Sequence, residues 1–338
     1  MKYLGHEHDA QNSNTKVGVL LMNLGTPERP VCPSLRSYLA EFLMDPRVIE
    51  LPSLLRAILV RGIIVNVRSH KSAAAYREVW TEQGSPLMFN TVALANKVQS
   101  ALQENSGVEY EVEVAMRYGK PSVEEKLSAL HQRGVRNIIA IPLYPQYSGS
   151  TNGSTFDAIG KALAKQRWVP NLHFVSDYYQ HPSYIKAIGD SINAHWSEHG
   201  RKQKLILSFH GIPKKYITLG DPYYAQCKQS AQLIADYLEL NDDDWKLVFQ
   251  SRLGAQEWLK PYCDMTLKEL PGQGVKSVDI ICPGFSADCL ETLEEIEGEN
   301  KEYFMEAGGE AYSYIPCLND SNPHVALMVE LIKQHTHI

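Results

Sequence analysis

One pattern of punctuation occurs twice along this 338-residue chain, and it restricts the fold more than composition does. Gly25-Thr26-Pro27 closes the apolar run Val17 to Asn23, and Gly211-Ile212-Pro213 closes the run Lys204 to Phe209. Arg117 follows Tyr110 to Met116 as Arg252 follows Trp245 to Gln250. Pro145 and Pro283 follow Asn137 to Leu143 and Val278 to Ile281, and Leu172 to Ser176 and Ala311 to Ile315 complete the set. Short apolar runs separated by amphipathic stretches leave no room for tight hairpins. They read as parallel strands whose sheets are covered by helices on both faces.

The repeat divides these runs into two groups of four. The expected fold is therefore α/β, with two similar Rossmann-like lobes, each a four-stranded parallel sheet flanked by helices, and a cleft between them. The expected boundaries are a disordered tail over 1–15, an amino-terminal lobe over 16–176 and a carboxy-terminal lobe over 177–330. From Gly25 to Arg117 there are about 92 residues, against about 41 from Gly211 to Arg252, so the first half carries an insertion over about 28–86. An insertion that leaves from the carboxyl end of a strand overhangs the edge where such folds build sites. Between Leu51 and Arg77 this lip holds Arg56, Arg61, Arg68, Lys71 and Arg77 with no acidic residue, among Leu54, Leu55, Ile58 and Ile63. A basic, greasy lip suits a flat apolar ligand that bears carboxylates, or an anionic membrane surface; a packed helix with solvated arginines is the plainer alternative.

The totals exclude several classes. A net charge of -6 argues against a general nucleic-acid binder. The six cysteines, Cys32, Cys227, Cys263, Cys282, Cys289 and Cys317, form no C-x-x-C pair, so neither a zinc ribbon nor the usual iron-sulfur spacings are present. Residues 1 to 15 lack the apolar core of a signal peptide, and no apolar run reaches the roughly 18 residues that cross a bilayer. The expectation is a reduced cytoplasmic protein. G-x-G-x-x-G, G-x-x-x-x-G-K-[ST] and G-x-S-x-G are all missing. Gly149-Ser-Thr-Asn-Gly-Ser-Thr155 reads either as an anion-binding loop or as a plain helix start. His6, His8, His335 and His337 lie in the tails and are expected to be inert.

Two strand ends carry the candidate chemistry. Leu205-Ile-Leu-Ser-Phe-His-Gly-Ile-Pro213 delivers His210 to the carboxyl edge of the second sheet. A lone histidine there is more often structural than catalytic. The second strand end shifts that balance, because Val278-Asp-Ile-Ile-Cys-Pro-Gly-Phe-Ser286 runs into an acidic helix beginning near Asp288. On an α-helix Glu291 and Glu295 share a ridge at i and i+4, and Gly298 takes its next place. Glu294, Glu297 and Glu299 read as solvated. An imidazole with a carboxylate makes an open, weak site for a divalent ion such as Fe²⁺, and the same groups can act as bases. Tyr144, Tyr147, Trp258 and Trp80 at loop positions favour a planar ligand.

From Lys16 to Val329 the chain resembles the ferrochelatases, which insert ferrous iron into a porphyrin to make haem. The resemblance rests on Asn23-Leu-Gly-Thr-Pro27, Gly84-Ser-Pro-Leu87, Arg117-Tyr118, Leu143-Tyr-Pro-Gln-Tyr-Ser148, Ser208-Phe-His-Gly-Ile-Pro213, Gly220-Asp-Pro-Tyr223, Gln250-Ser-Arg252 and Gly284-Phe-Ser-Ala-Asp-Cys-Leu-Glu-Thr292. It implies a chelatase-like fold, His210 and Glu291 as the metal pair, Glu295 as a further carboxylate for protons, and Arg117, Tyr118, Tyr147, Ser148 and Trp258 along the porphyrin, with Arg56, Arg61 and Arg68 on the lip. It implies Fe²⁺ and protoporphyrin IX as substrates and no tightly bound cofactor. Coproporphyrin III, sirohydrochlorin and a carrier without chemistry stay open as alternatives. Three departures qualify the likeness. Cys289 stands where some relatives have histidine, Leu24 where some have a tyrosine, and no cysteine-rich extension for a [2Fe-2S] cluster follows. A monomer is expected, with dimerisation and peripheral contact with the inner membrane left open.

Overall fold

The computed structural model describes residues 3–5, 16–104, 107–252, 254 and 256–336. His6, His8 and His337 lie outside the described residues. Of the stretch expected as a tail, 3–5 are placed: Leu4 N–H donates to the Lys165 carbonyl and Leu4 O accepts from Arg167 N–H, both at 2.8 Å. His335 is also not loose, because its ring stacks on His173 at 3.8 Å.

Eight strands form two sheets. β1 (Lys16–Gly25), β2 (Glu109–Tyr118), β3 (Asn137–Pro142) and β4 (Asn171–Phe174) lie in the order β2-β1-β3-β4, all parallel. β5 (Lys204–His210), β6 (Trp245–Gln250), β7 (Ser277–Ile281) and β8 (Ala311–Tyr314) lie in the order β6-β5-β7-β8, also parallel. The same order twice is what the repeated punctuation requires. Central strands covered on both faces need continuous apolar sequence, and Leu20, Leu21, Ile206 and Leu207 are fully enclosed. Each such side chain contributes about 1.5–3 kcal/mol.

The chain folds as two compact units. The first comprises Met1–Leu143, Gly149–Asp177 and Val325–Ile338, and the second Tyr144–Ser148 and Tyr178–His324. In the first, Leu20, Met22, Leu127, Leu130, Ile138 and Ile159 form one core. Helix Val123–Gln132 is started there by a capping box, in which Ser122 accepts from Glu125 N–H and the Glu125 carboxylate accepts from Ser122 N–H. In the second unit the core gathers Ile206, Val248, Leu267, Ile280, Ile296 and Phe304.

The insertion folds within the first unit as helix Cys32–Leu43 followed by one continuous helix from Ser53 to Val79, whose middle section, Ile58–Ile64, is wound as a π-helix. Leu43, Val60 and Val65 anchor it on a small core of its own. Its exposed side carries Leu54, Leu55, Ile58, Ile63 and Val67. Arg56 departs from the expected basic face: it is buried, and its Nη1 donates to the carbonyls of Ile49 and Leu51.

Candidate active site

The carboxyl edge of the second sheet is assembled around a tight corner. β5 ends at His210, which pairs with Gln250 of β6, and Gly211 N–H donates to the Gln250 carbonyl at 2.7 Å. A Cβ at position 211 would stand 2.8 Å from that carbonyl oxygen and 3.3 Å from the Trp258 ring, so only glycine lets the chain turn this close. The corner aims the imidazole. His210 Nδ1 lies 2.6 Å from the Gly211 carbonyl oxygen. A carbonyl only accepts, so in the neutral ring Nδ1 carries the hydrogen and Nε2 presents its lone pair. Phe285, from the β7 exit, packs beside this ring at 6.3 Å.

Gln250 joins the histidine corner to the acidic segment. Its Nε2 donates to the Glu291 carbonyl at 2.9 Å, while its Oε1 accepts from Ser208 Oγ at 2.8 Å and from the buried Cys282 thiol. This buried amide is therefore satisfied at both ends. Next to it, Ser251 adopts φ +62, a left-handed conformation that costs a non-glycine residue on the order of 1 kcal/mol. The strain directs both Ser251 donors onto one carboxylate: N–H to Glu295 Oε1 at 2.8 Å, and Oγ to Oε2. Burial nevertheless pushes the Glu295 carboxyl above the usual carboxylate range. The Ser251 bonds and the nearby His210 imidazole pull it down, and Glu291 adds to the rise.

The acidic segment is not an α-helix. Glu291–Glu299 is wound as a π-helix, with about 4.4 residues per turn. Three of its carbonyls are claimed by side chains: Glu291 O by Gln250, Glu295 O by Asn300 Nδ2 at 2.7 Å, and Ile296 O by Tyr312 OH at 2.5 Å. These donors favour the wider winding. The α-helical ridge expected from the sequence is therefore not formed. Glu291 and Glu295 remain on one side, but Gly298 rotates away, and half-buried Glu299 and buried Asn300 take the following turn. Asp288 fixes the start of the segment, accepting from Thr292 Oγ1, Tyr314 OH, Cys317 N–H and Asn319 Nδ2.

The other residues singled out in the sequence are distributed as follows. Tyr147 is half-buried, and its N–H donates to Gln226 Oε1 at 2.6 Å. Ser148 is enclosed, and its hydroxyl donates to Asp221, whose other oxygen accepts from Tyr223 N–H. Trp258 is half-buried against the Gly211 corner. Arg117 and Tyr118 belong to the first unit, where Asp45 Oδ2 accepts from the Arg117 guanidinium, from Tyr118 OH at 2.8 Å and from Ser154 Oγ at 2.5 Å. Tyr118 is 1% exposed, so its ring is a wall behind Arg117 and not a surface. Ser154 is likewise spent inside the protein, as is Asn152, which donates to the Ser176 carbonyl. The loop 149–155 thus uses these polar groups to hold its own unit together. Gln226, Asp221, Gln250, Ser251 and Phe285 carry no role on sequence grounds alone. Asp221, Gln250, Ser251 and Phe285 lie inside the quoted motifs, which was the available signal.

Among the described residues no group of three or more His, Cys, Asp or Glu side chains is placed to hold a metal ion, and no helix is long and apolar enough to cross a membrane. Five of the six cysteines are buried and none is in a disulfide.

The Ferrochelatase family model matches residues 16–336. The chain belongs to the ferrochelatase family. It is 51% identical over 335 residues to the ferrochelatase of Marinobacter nauticus, covering 99% of this chain and 90% of that one. It is 50% identical to the ferrochelatase of Pseudoalteromonas atlantica, covering 99% and 93%, and 50% identical to ferrochelatase 2 of Shewanella oneidensis, covering 95% and 98%. Among solved structures, the sirohydrochlorin chelatase SirB of Bacillus subtilis subspecies spizizenii matches with a TM-score of 0.55 at 10% identity, over 94% of each chain. CbiX, the terminal enzyme of sirohaem biosynthesis in denitrifying bacteria, matches with 0.52 at 14%, over 95% of this chain and 100% of that one. These two show a shared chelatase fold. Membership of the ferrochelatase family makes the chain a metal-inserting lyase that acts on a porphyrin and ferrous iron.

Proposed function

We propose that this ferrochelatase inserts Fe²⁺ into protoporphyrin IX, with release of two protons, and that His210, Glu291 and Glu295 carry the step. The observation that supports the reading most directly is the His210 ring, whose Nδ1 is committed to the Gly211 carbonyl. Its Nε2 is then a base or a metal donor of fixed direction. A porphyrin must give up two pyrrolic protons as it gains the metal. His210 Nε2 takes a proton or touches the incoming ion. Glu291, whose backbone is held by Gln250, supplies the second donor, an oxygen, and the proton exit. Two protein donors leave the remaining positions of a divalent ion for the ring nitrogens. Glu295 holds a proton more readily than an ordinary carboxyl, which suits it to receive one from Glu291.

Tyr147 and Trp258 border the flat substrate, with Ser148 fastening the Tyr147 loop. Arg117, backed by Tyr118, contributes only the guanidinium edge that Asp45 and Ser154 leave over. Arg61 and Arg68, with the exposed aliphatic stripe beside them, support peripheral contact with an anionic membrane from the cytoplasm by a monomeric protein. The test is anaerobic mixing of the protein with Fe²⁺ and, separately, protoporphyrin IX, coproporphyrin III and sirohydrochlorin, followed by absorption. Many turnovers on protoporphyrin IX and few on the others are expected. Band shifts without metallation would identify a carrier instead.

A further inference from the structure

A cavity of about 450 Å³ opens in the first unit, lined by Arg61 of the continuous helix Ser53–Val79, by Lys161 and Arg117, and by Glu41 and Asp45. Its charges do not cancel. Asp45 is committed to Arg117, and although burial alone would raise its carboxyl, the bonds from Ser154, Arg47 N–H, Arg117 and Tyr118 hold it below the usual range, so that pair is neutral. Glu41 is the one carboxylate left against Arg61 and Lys161, and one of its oxygens accepts from Gly119 N–H at 2.9 Å. Arg61 and Lys161 are both exposed and have no carboxylate within ion-pair distance among the described residues. Two cations against one carboxylate leave the cavity with a surplus of one positive charge, and the cations reach it from different elements, the π-wound section of the lip and helix Ser154–Leu163.

The same lip helix displays Leu54 and Val67 at 72% exposure each, with Ile58 at 58% and Ile63 at 57%. Arg61 stands among them in sequence. A planar guanidinium and an ammonium that both line a space of this size match a phosphate diester, which Arg binds by two parallel hydrogen bonds. We infer that this cavity seats the phosphate of an anionic glycerophospholipid while the aliphatic side chains of the lip enter the acyl layer. Free phosphate offers the same oxygens, but it would leave those side chains in water, so the lipid is the occupant that satisfies both surfaces. The inference rests on the peripheral membrane contact proposed above and adds a specific seat to it.

The experiment is co-sedimentation of the full chain with phosphatidylcholine vesicles, with and without phosphatidylglycerol, at fixed ionic strength. The wild type is expected to bind only the anionic vesicles. Arg61→Gln with Lys161→Gln should weaken binding roughly 30-fold, from about a factor of five for each cation near the surface. Arg61→Lys keeps the charge but loses the fork, and should weaken binding several-fold, whereas Arg68→Lys, outside the cavity, should not. Equal effects at Arg61 and Arg68 would overturn the seat and leave the membrane contact standing as a diffuse attraction. No binding by the wild type would overturn the contact itself. In a separate arm without vesicles, inorganic phosphate is titrated against the melting temperature. An Arg61-dependent rise, combined with vesicle binding that ignores Arg61, would assign the cavity to free phosphate and overturn the lipid.

Discussion

Acidification from about pH 7 to about pH 5 should cost this protein stability through one enclosed imidazole. His324 is 1% exposed and its Nδ1 donates to the Asn319 carbonyl at 2.6 Å. Burial lowers its pKa from 6.5 to about 4, against smaller upward pulls from the Asn319 carbonyl and Asp320. A base whose folded pKa is depressed adds stability above its unfolded pKa, and that contribution is lost as pH falls through the window from 6.5 to 4. Over the full window the loss is about 3.4 kcal/mol, and between about pH 7 and pH 5 it is about 2 kcal/mol. His324→Asn keeps an amide nitrogen near the Nδ1 position without a titrating ring. It should cost about 1–2 kcal/mol at neutral pH for the lost ring volume. Urea unfolding followed by tryptophan fluorescence at a series of pH values would show the variant less stable at pH 7 and close to the wild type near pH 5. Depressed carboxylates such as Asp45 titrate below this window, and half-buried His195, also depressed by burial, acts equally in both proteins. Parallel curves for wild type and variant would mean that His324 does not carry this pH dependence.

Three further outcomes follow from the site. Because the Glu295 carboxyl is raised by burial, its stabilising contribution is complete below the unfolded pKa and is lost as pH rises through the folded one; Glu295→Gln should therefore melt higher than the wild type at pH 7 to 8, match it near pH 4, and turn over at least about tenfold more slowly. Gly211→Ala forces a methyl within 2.8 Å of the Gln250 carbonyl oxygen and should cost about 1–3 kcal/mol in urea unfolding, with a larger proportional loss of turnover because the corner aims His210. Asp288→Asn leaves four converging donors with a weaker acceptor and should cost about 2–3 kcal/mol by the same assay.

The strands were legible because a parallel strand covered on both faces must be apolar throughout, and the repeated Gly, Arg and Pro positions mark where each reaches the carboxyl edge. His210 and Glu291 could be placed at that edge for the same reason. The winding of Glu291–Glu299 could not be read, since carboxylates four apart lie on one side of an α- or a π-helix alike. What selects the wider form is a set of donors from Gln250, Asn300 and Tyr312, and Gln250 is about forty residues distant in sequence. The surroundings of Arg56 and Tyr118 were hidden from the sequence for a related reason. A charge on a lip and a hydroxyl after a strand look outward in sequence, but the Ile49 and Leu51 carbonyls claim one and Asp45 claims the other. The Ser251–Glu295 contact depends on a positive φ at a serine, which no local pattern announces.

In the proposed mechanism the Nε2 of His210 does the chemistry while the rest of the edge holds the ring. Steady-state metallation of protoporphyrin IX by His210→Ala, measured anaerobically beside a porphyrin-binding titration, tests it directly. Turnover should fall by at least about a thousandfold, with porphyrin affinity within a few-fold of the wild type. Turnover per bound porphyrin that stays at the wild-type level would contradict it.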